Sequence, residues 1–285
     1  MRFTIGRFGY VLVCMFFCFQ SAPAAQNPIK QDRVYSFGIV PQFEQRKMFR
    51  IWQPILTQIE EKTGLRFKIK GSPKISSFET SFLAGEFDFA YMNPYHITLA
   101  HKSQGYVPLV RDGERSLQGI LVVHRDSDIS DIRELQGKTV AFPAPNALGA
   151  SLIMRADFVN LFQISVKPKY VQTHSSVYLH VAKGLSSAGG GVLSTFDSQI
   201  PEIKNKLRIL YTTRPIPPHP IAAHPRVPAK HRELLRKALL DLSKTQQGAL
   251  MLSQIPLNKA IPAEISDYTV IRQWGLDRFY VSTNE

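Results

Sequence analysis

Gly85-Glu86-Phe87-Asp88-Phe89-Ala90-Tyr91-Met92-Asn93-Pro94-Tyr95 is the stretch from which the fold can be read. Gly85 signals a turn. The aromatic-rich run Phe87 to Tyr91 then reads as a strand. Asn93-Pro94 ends it, because proline cannot extend a ladder and suits the first turn of a helix. A strand passing into a helix through Tyr-x-Asn-Pro offers a phenol, an amide and free helix N–H groups at one point. Ligands of open α/β sheets collect at such carboxyl ends of strands.

The flanking sequence repeats this alternation. Tyr35 to Val40 reads as a strand. Arg46 to Thr63 reads as a helix with apolar residues at helical spacing, kinked at Pro54 and stopped by Gly64. Leu65 to Ile69 is a second strand, and Ser76-Ser77-Phe78-Glu79 reads as a capping box opening the next helix. A helix Pro94–Lys102 and a strand Val107–Val110 follow, giving the order expected of a mainly parallel sheet. Leu117–His124 is an apolar run suited to crossing between lobes. A second alternating set begins at Thr139–Phe142. It continues with a helix from Ala147 to Phe162, a strand Lys169–Val171, a helix Ser175–Lys183, a glycine-rich strand Ala188–Leu193 and a strand Leu207–Tyr211. Four prolines in Pro215–Pro220 mark a second crossing. Helices from Ala229 to about Leu252 and around Tyr268–Trp274 close the chain.

Composition places limits on function. The chain has 285 residues, 44% hydrophobic and 20% charged, and a formal charge of +13. Arg2 and Arg7 precede the apolar run Val11–Phe19, followed by Ser21-Ala22-Pro23-Ala24-Ala25, the pattern of a cleavable signal peptide, 1–24. Its core is short for a membrane span. Cleavage would remove two arginines and no acid, leaving +11, and would remove both cysteines, Cys14 and Cys18. The exported chain would then hold no disulfide and no thiolate metal site. The remaining charge favours encounter with anions. The basic residues are scattered apart from Arg226, Lys230, Arg232, Arg236 and Lys237, read as lying on one basic helix, without the aromatic interleaving of single-strand nucleic-acid binders. Gly-x-Ser-x-Gly, His-Glu-x-x-His and paired turn carboxylates are missing from the sequence, which argues against an enzyme. No histidine spacing fits a common zinc pattern. Gly189-Gly190-Gly191 is followed by no lysine or Ser/Thr at phosphate-loop spacing and suggests close approach of backbones or of ligand at a strand end.

Five segments in order carry a family resemblance: Gly38-Ile39-Val40-Pro41-Gln42; Gly85–Tyr95; Leu135-x-Gly137-Lys138; His174-Ser175-Ser176 with Val181 and Gly184; and Ile216-Pro217-Pro218-His219-Pro220. Over about residues 34–255 the chain resembles the phosphate/phosphite/phosphonate substrate-binding proteins of ABC transporters, the PhnD-like group. The resemblance implies an α/β, type II periplasmic-binding-protein fold: two α/β lobes joined by two crossing segments. Lobe 1 would hold 34–118 plus 220–285, and lobe 2 would hold 120–214. The implied function is capture of a small anionic solute between the lobes for an inner-membrane ABC permease. The protein would be a monomer in the periplasm of a Gram-negative bacterium, without cofactor, metal or nucleic acid. The alternative is a sensory or accessory binding protein for a membrane histidine kinase or complex, or a binder of another organic solute.

The candidate ligand-binding residues are Gln42, Tyr91, Asn93, Asn146, Ala147, Gly149, Ser151, His174, Ser175, Ser176 and His219. The family's Ser-Thr-Ser-Gly turn corresponds to Phe142–Ser151, where the triple hydroxyl is absent and backbone N–H groups, Asn146 and Ser151 remain. A family tyrosine falls near Ile75. The acids that hold an amine fall at Ser194 and His219, so the expected ligand lacks an amine.

Overall fold

The computed structural model describes residues 33–282, apart from the isolated Met1. The signal-peptide reading of 1–24 lies outside the described residues. From the N-terminal side, β1 (Val34–Ile39), α1 (Gln45–Thr63), β2 (Arg66–Lys70), α2 (Ile75–Leu83), β3 (Phe89–Tyr91), α3 (Pro94–Gln104) and β4 (Val107–Asp112) alternate as expected. The chain then forms β5 (Gly119–His124), β6 (Thr139–Phe142), a helical stretch made of a π-turn Leu148–Leu152 and α4 (Ile153–Asn160), β7 (Lys167–Tyr170), α5 (His174–Ala182), β8 (Ala188–Val192) and β9 (Leu207–Thr212). It returns through β10 (Ile221–Ala223), helices Ala229–Leu242 and Gln246–Leu252, and β11 (Ala260–Pro262).

Two sheets result. The first has the order β11-β4-β10-β3-β1-β2 and the second β7-β6-β8-β5-β9. Parallel pairing covers β2-β1-β3 in the first sheet and β7-β6-β8 in the second. The mainly parallel expectation fails at β10, which inserts antiparallel between β3 and β4, and at β5, antiparallel to both β8 and β9. A strand arriving after a long excursion can fill a gap between sequence neighbours, and local periodicity carries no trace of that. The crossings are also shorter than the sequence suggested, since Gly119–His124 is a strand of the second sheet. What spans the sheets is the short pair of segments around Leu117 and Ile216, joined by an antiparallel bridge.

Burial explains these elements. α1 buries Met48, Trp52, Ile55, Leu56 and Ile59 and runs uninterrupted through Pro54, which is exposed. Trp52 packs on Phe37 and on Tyr91, with ring centroids 5.2 and 5.0 Å apart. The expected capping box at Ser76 is absent: α2 begins at Ile75, and Lys74 at its N-cap makes no side-chain bond. Glu79 is drawn instead into the interior, 1% exposed, where it has other partners. Arg226 precedes the basic helix and turns inward to Asp88. No helix among the described residues is long and apolar enough to cross a membrane.

Each glycine of β8 meets a different neighbour. A Cβ at Gly189 would strike Val177, one at Gly190 the Ala150 carbonyl and the Phe142 ring, and one at Gly191 the Tyr178 hydroxyl. The triple glycine therefore serves close packing of α5 and the Leu148–Leu152 turn on the sheet.

Candidate functional site

Asn93 is built as the sequence reading requires. It caps α3, its Oδ1 accepting from the N–H groups of Tyr95 and His96 at 2.9 and 2.8 Å, with Pro94 following. Its Nδ2 lies 3.0 Å from His96 Nε2 and 3.4 Å from the Asn146 carbonyl. Tyr91 uses its hydroxyl to donate to the Ile255 carbonyl at 3.0 Å and stacks its ring on His219, centroids 5.2 Å apart. Burial, with Asp112 adding to it, pushes the Tyr91 phenol far up, so it stays neutral.

Across from them, the turn Ala147–Ala150 opens the helical stretch that continues as α4. The first N–H groups of a helix have no intrahelical acceptor. The residues of this turn border a small cavity of about 20 Å³, together with Gln42, Asn93, His174 and His219, and the Ala147 N–H donates to the Ala144 carbonyl at 3.4 Å. Val40, Ile75, Leu117, Leu148 and Val192 close the rest of its wall. Ala147, Leu148 and Ala150 belong to the same apolar cluster as the core of the first sheet, so the two halves meet here through largely apolar packing. His174 opens α5. Thr173 rather than His174 is the cap, its Oγ1 accepting from Ser176 N at 3.1 Å. His174 Nδ1 lies 3.3 Å from Thr195 Oγ1, and burial lowers its pKa to about 4.

A second, larger cavity of about 360 Å³ shares Gln42, Leu117 and His219 with the first. Tyr91, Phe43, Ser194, Thr195, Asn258 and the charged Asp112, Arg115 and Asp197 also line it. Neither ring nitrogen of His219 has a hydrogen-bond partner among the described residues, and burial, with His96 and His174 nearby, lowers its pKa to about 3. Both histidines are therefore neutral near pH 7 and can accept or donate one hydrogen bond at each nitrogen.

The sequence candidates divide cleanly by position. Gln42, Tyr91, Asn93, Ala147, Gly149, His174 and His219 border one or both cavities. Asn146, Ser151, Ser175 and Ser176 line neither of them. Asn146 is engaged elsewhere: its Nδ2 donates to Glu79 Oε2 at 3.0 Å and to the Val281 carbonyl at 2.7 Å, and its Oδ1 accepts from Val281 N at 3.0 Å. Ser151 is fully buried, and its Oγ accepts from Arg155 Nε at 3.3 Å. Ser176 bonds to its own cap, Oγ to Thr173 Oγ1 at 2.8 Å. Sequence reasoning passed over Asp112, at the end of β4, and Arg115 and Asn258, which sit in irregular segments without motif. The Arg-Asp-Gly-Glu-Arg turn after β4 was the available signal.

A family model for ABC transporter, phosphonate, periplasmic substrate-binding protein matches residues 37–268. The chain belongs to this family. It is 21% identical over 240 residues to the phosphonates-binding periplasmic protein of Escherichia coli (strain K12), covering 79% of this chain and 71% of that one. PhnD1 from Prochlorococcus marinus (MIT 9301), solved in complex with methylphosphonate, matches with a TM-score of 0.77 at 16% identity, over 85% of this chain and 97% of that one. A binding-protein component of an ABC phosphonate transporter from Pseudomonas aeruginosa matches with a TM-score of 0.74 at 17% identity, over 86% and 87%. The two sheets and their paired crossings are those of the type II periplasmic-binding fold.

Proposed function

We propose that this protein is the receptor of an ABC importer, that it captures a phosphonate-class anion lacking an amine, and that it hands the anion to an inner-membrane permease. Residues 34–118 plus 220–285 act as one lobe and 120–214 as the other, closing on the ligand as a monomer. The chain is exported and loses residues 1–24; its role is transport rather than catalysis.

One observation carries this reading. Gln42, Asn93 and His219 from the first sheet's side converge with the Ala147–Ala150 turn and His174 from the second on a single small cavity. N–H groups at the start of a helix, an amide and neutral imidazoles are donors that can surround an oxyanion. Exclusion of water strengthens each bond. The family membership supports the ligand class.

The test is a thermal-shift screen of the mature protein against phosphate, phosphite, methylphosphonate, ethylphosphonate, 2-aminoethylphosphonate and sulfate. A ligand at 100 times its Kd adds about 2.7 kcal/mol, a shift of about 5–10 °C for a chain of this size. Stabilisation by no phosphorus oxyanion would refute the reading. Intact mass of periplasmic protein tests processing after Ala24.

A further inference from the structure

The larger cavity sets what the phosphonate carries. At about 360 Å³ it has room for a substituent well beyond a methyl group. Its charged lining side chains are Asp112, Arg115 and Asp197. Asp112 is 2% exposed, and its carboxylate is taken up by the N–H groups of Glu114, Arg115 and Lys259 at 3.3, 3.2 and 2.9 Å. Asp197 accepts from Lys204 Nζ at 2.7 Å. The Arg115 guanidinium, at the exposed edge of the cavity, has no hydrogen-bond or ion-pair partner among the described residues. A ligand in this space therefore meets carboxylates already engaged and a guanidinium that is free.

Resting on the reading above, we infer that the ligand is a phosphonate whose organic substituent ends in an acid, a phosphonocarboxylate. The phosphonyl group lies toward Gln42 and His219, where the two cavities join, and the carboxylate pairs with Arg115. The planar guanidinium fork matches a carboxylate in two parallel hydrogen bonds, a geometry an ammonium-bearing substituent cannot use. Asp112, whose oxygens face inward to three N–H groups, is poorly placed to hold such an ammonium.

Titration calorimetry on the mature protein with three ligands that share a two-carbon substituent decides this: phosphonoacetate, ethylphosphonate and 2-aminoethylphosphonate. Phosphonoacetate is expected to bind at least about tenfold tighter than ethylphosphonate, an energy appropriate to a charge-assisted pair. Arg115→Ala should bring that ratio close to one, and Arg115→Lys should restore it in part. Equal affinity for phosphonoacetate and ethylphosphonate, or an unchanged ratio in Arg115→Ala, overturns the inference and leaves the phosphonate reading standing; preference for the amine overturns the inference and the amine-free ligand class, leaving a phosphonate receptor. Failure of all three to bind overturns the inference, and overturns the phosphonate reading as well if methylphosphonate, phosphite and phosphate also fail. Arg115 is an exposed turn residue, so the variants are expected to fold.

Discussion

Glu79 joins α2 to two buried polar side chains on other elements. One carboxylate oxygen lies 3.0 Å from His96 Nε2, the other accepts from Asn146 at 3.0 Å, and all three side chains are buried. Replacing it with alanine strands two polar groups in the interior. Glu79→Ala is expected to cost about 3 kcal/mol in urea unfolding, with Glu79→Gln recovering a large part. His174 yields a second expectation. Its pKa is lowered to about 4 by burial, against 6.5 when unfolded. The unfolded chain therefore binds the extra proton first as pH falls. The stability due to a neutral His174 is complete above pH 6.5 and lost as pH drops toward 4, by up to about 3 kcal/mol. Melting curves from pH 7.5 to 4.5 should show this loss together with that of His219, whose pKa is lowered to about 3, and His174→Asn should reduce it by about half. Bound anion should act in the opposite direction, favouring imidazolium. Asp88 is the counter-example. Burial raises its pKa, but Arg226 and Ser36 outweigh this and hold its carboxyl below the usual range. It bonds Ser36 N at 2.9 Å and Arg226 Nε at 2.8 Å, the structural use expected of an acid set between aromatics.

At the scale of elements, β8 shows how little room the second sheet leaves. A methyl at Gly190 would collide with a backbone carbonyl, which cannot rotate away as a side chain can. Gly190→Ala should therefore cost more than about 3 kcal/mol or prevent folding. Gly184, at φ +69 with nothing near its Cβ position, is a backbone case only. Gly184→Ala should cost about 1 kcal/mol. Paired denaturant melts separate the two: equal costs would show that the contact at Gly190 is relaxed by movement of the Ala147–Ala150 turn.

For the whole molecule, the segment after Gly275 ties the parts together. Tyr95 Oη donates to Asp277 at 2.7 Å on the first sheet's side. On the second's, Arg155 donates to the Phe279 carbonyl at 2.6 Å, Arg278 to Asn160 Oδ1 at 2.7 Å, and Asn146 pairs with Val281 through both amide atoms. Truncation after Gly275 is expected to destabilise the protein by about 4 kcal/mol, four hydrogen-bonded attachments at roughly 1 kcal/mol each. It should also raise the rate of limited proteolysis in the β6–α4 loop. A truncated protein with an unchanged Tm would mean these bonds merely replace equivalent ones to water.

The alternation of elements, the Asn93 cap, the glycine packing of β8 and the family were all legible in sequence. Each is written in local spacing: proline after asparagine, apolar residues at helical period, three glycines in a strand. The insertion of β10 between β3 and β4 was not legible, because a three-residue apolar strand can pair wherever the returning chain brings it. The fates of Glu79 and Asn146 were hidden for the same reason. Ser-Ser-Phe-Glu has the letters of a capping box, but burial opposite His96 and Asn146 offers that carboxylate stronger partners than an exposed helix end does. The free guanidinium of Arg115 and the cavity it borders exist only once both crossings are in place. Local chemistry thus determined the elements and their caps, while long-range packing decided which polar groups remain open to a ligand.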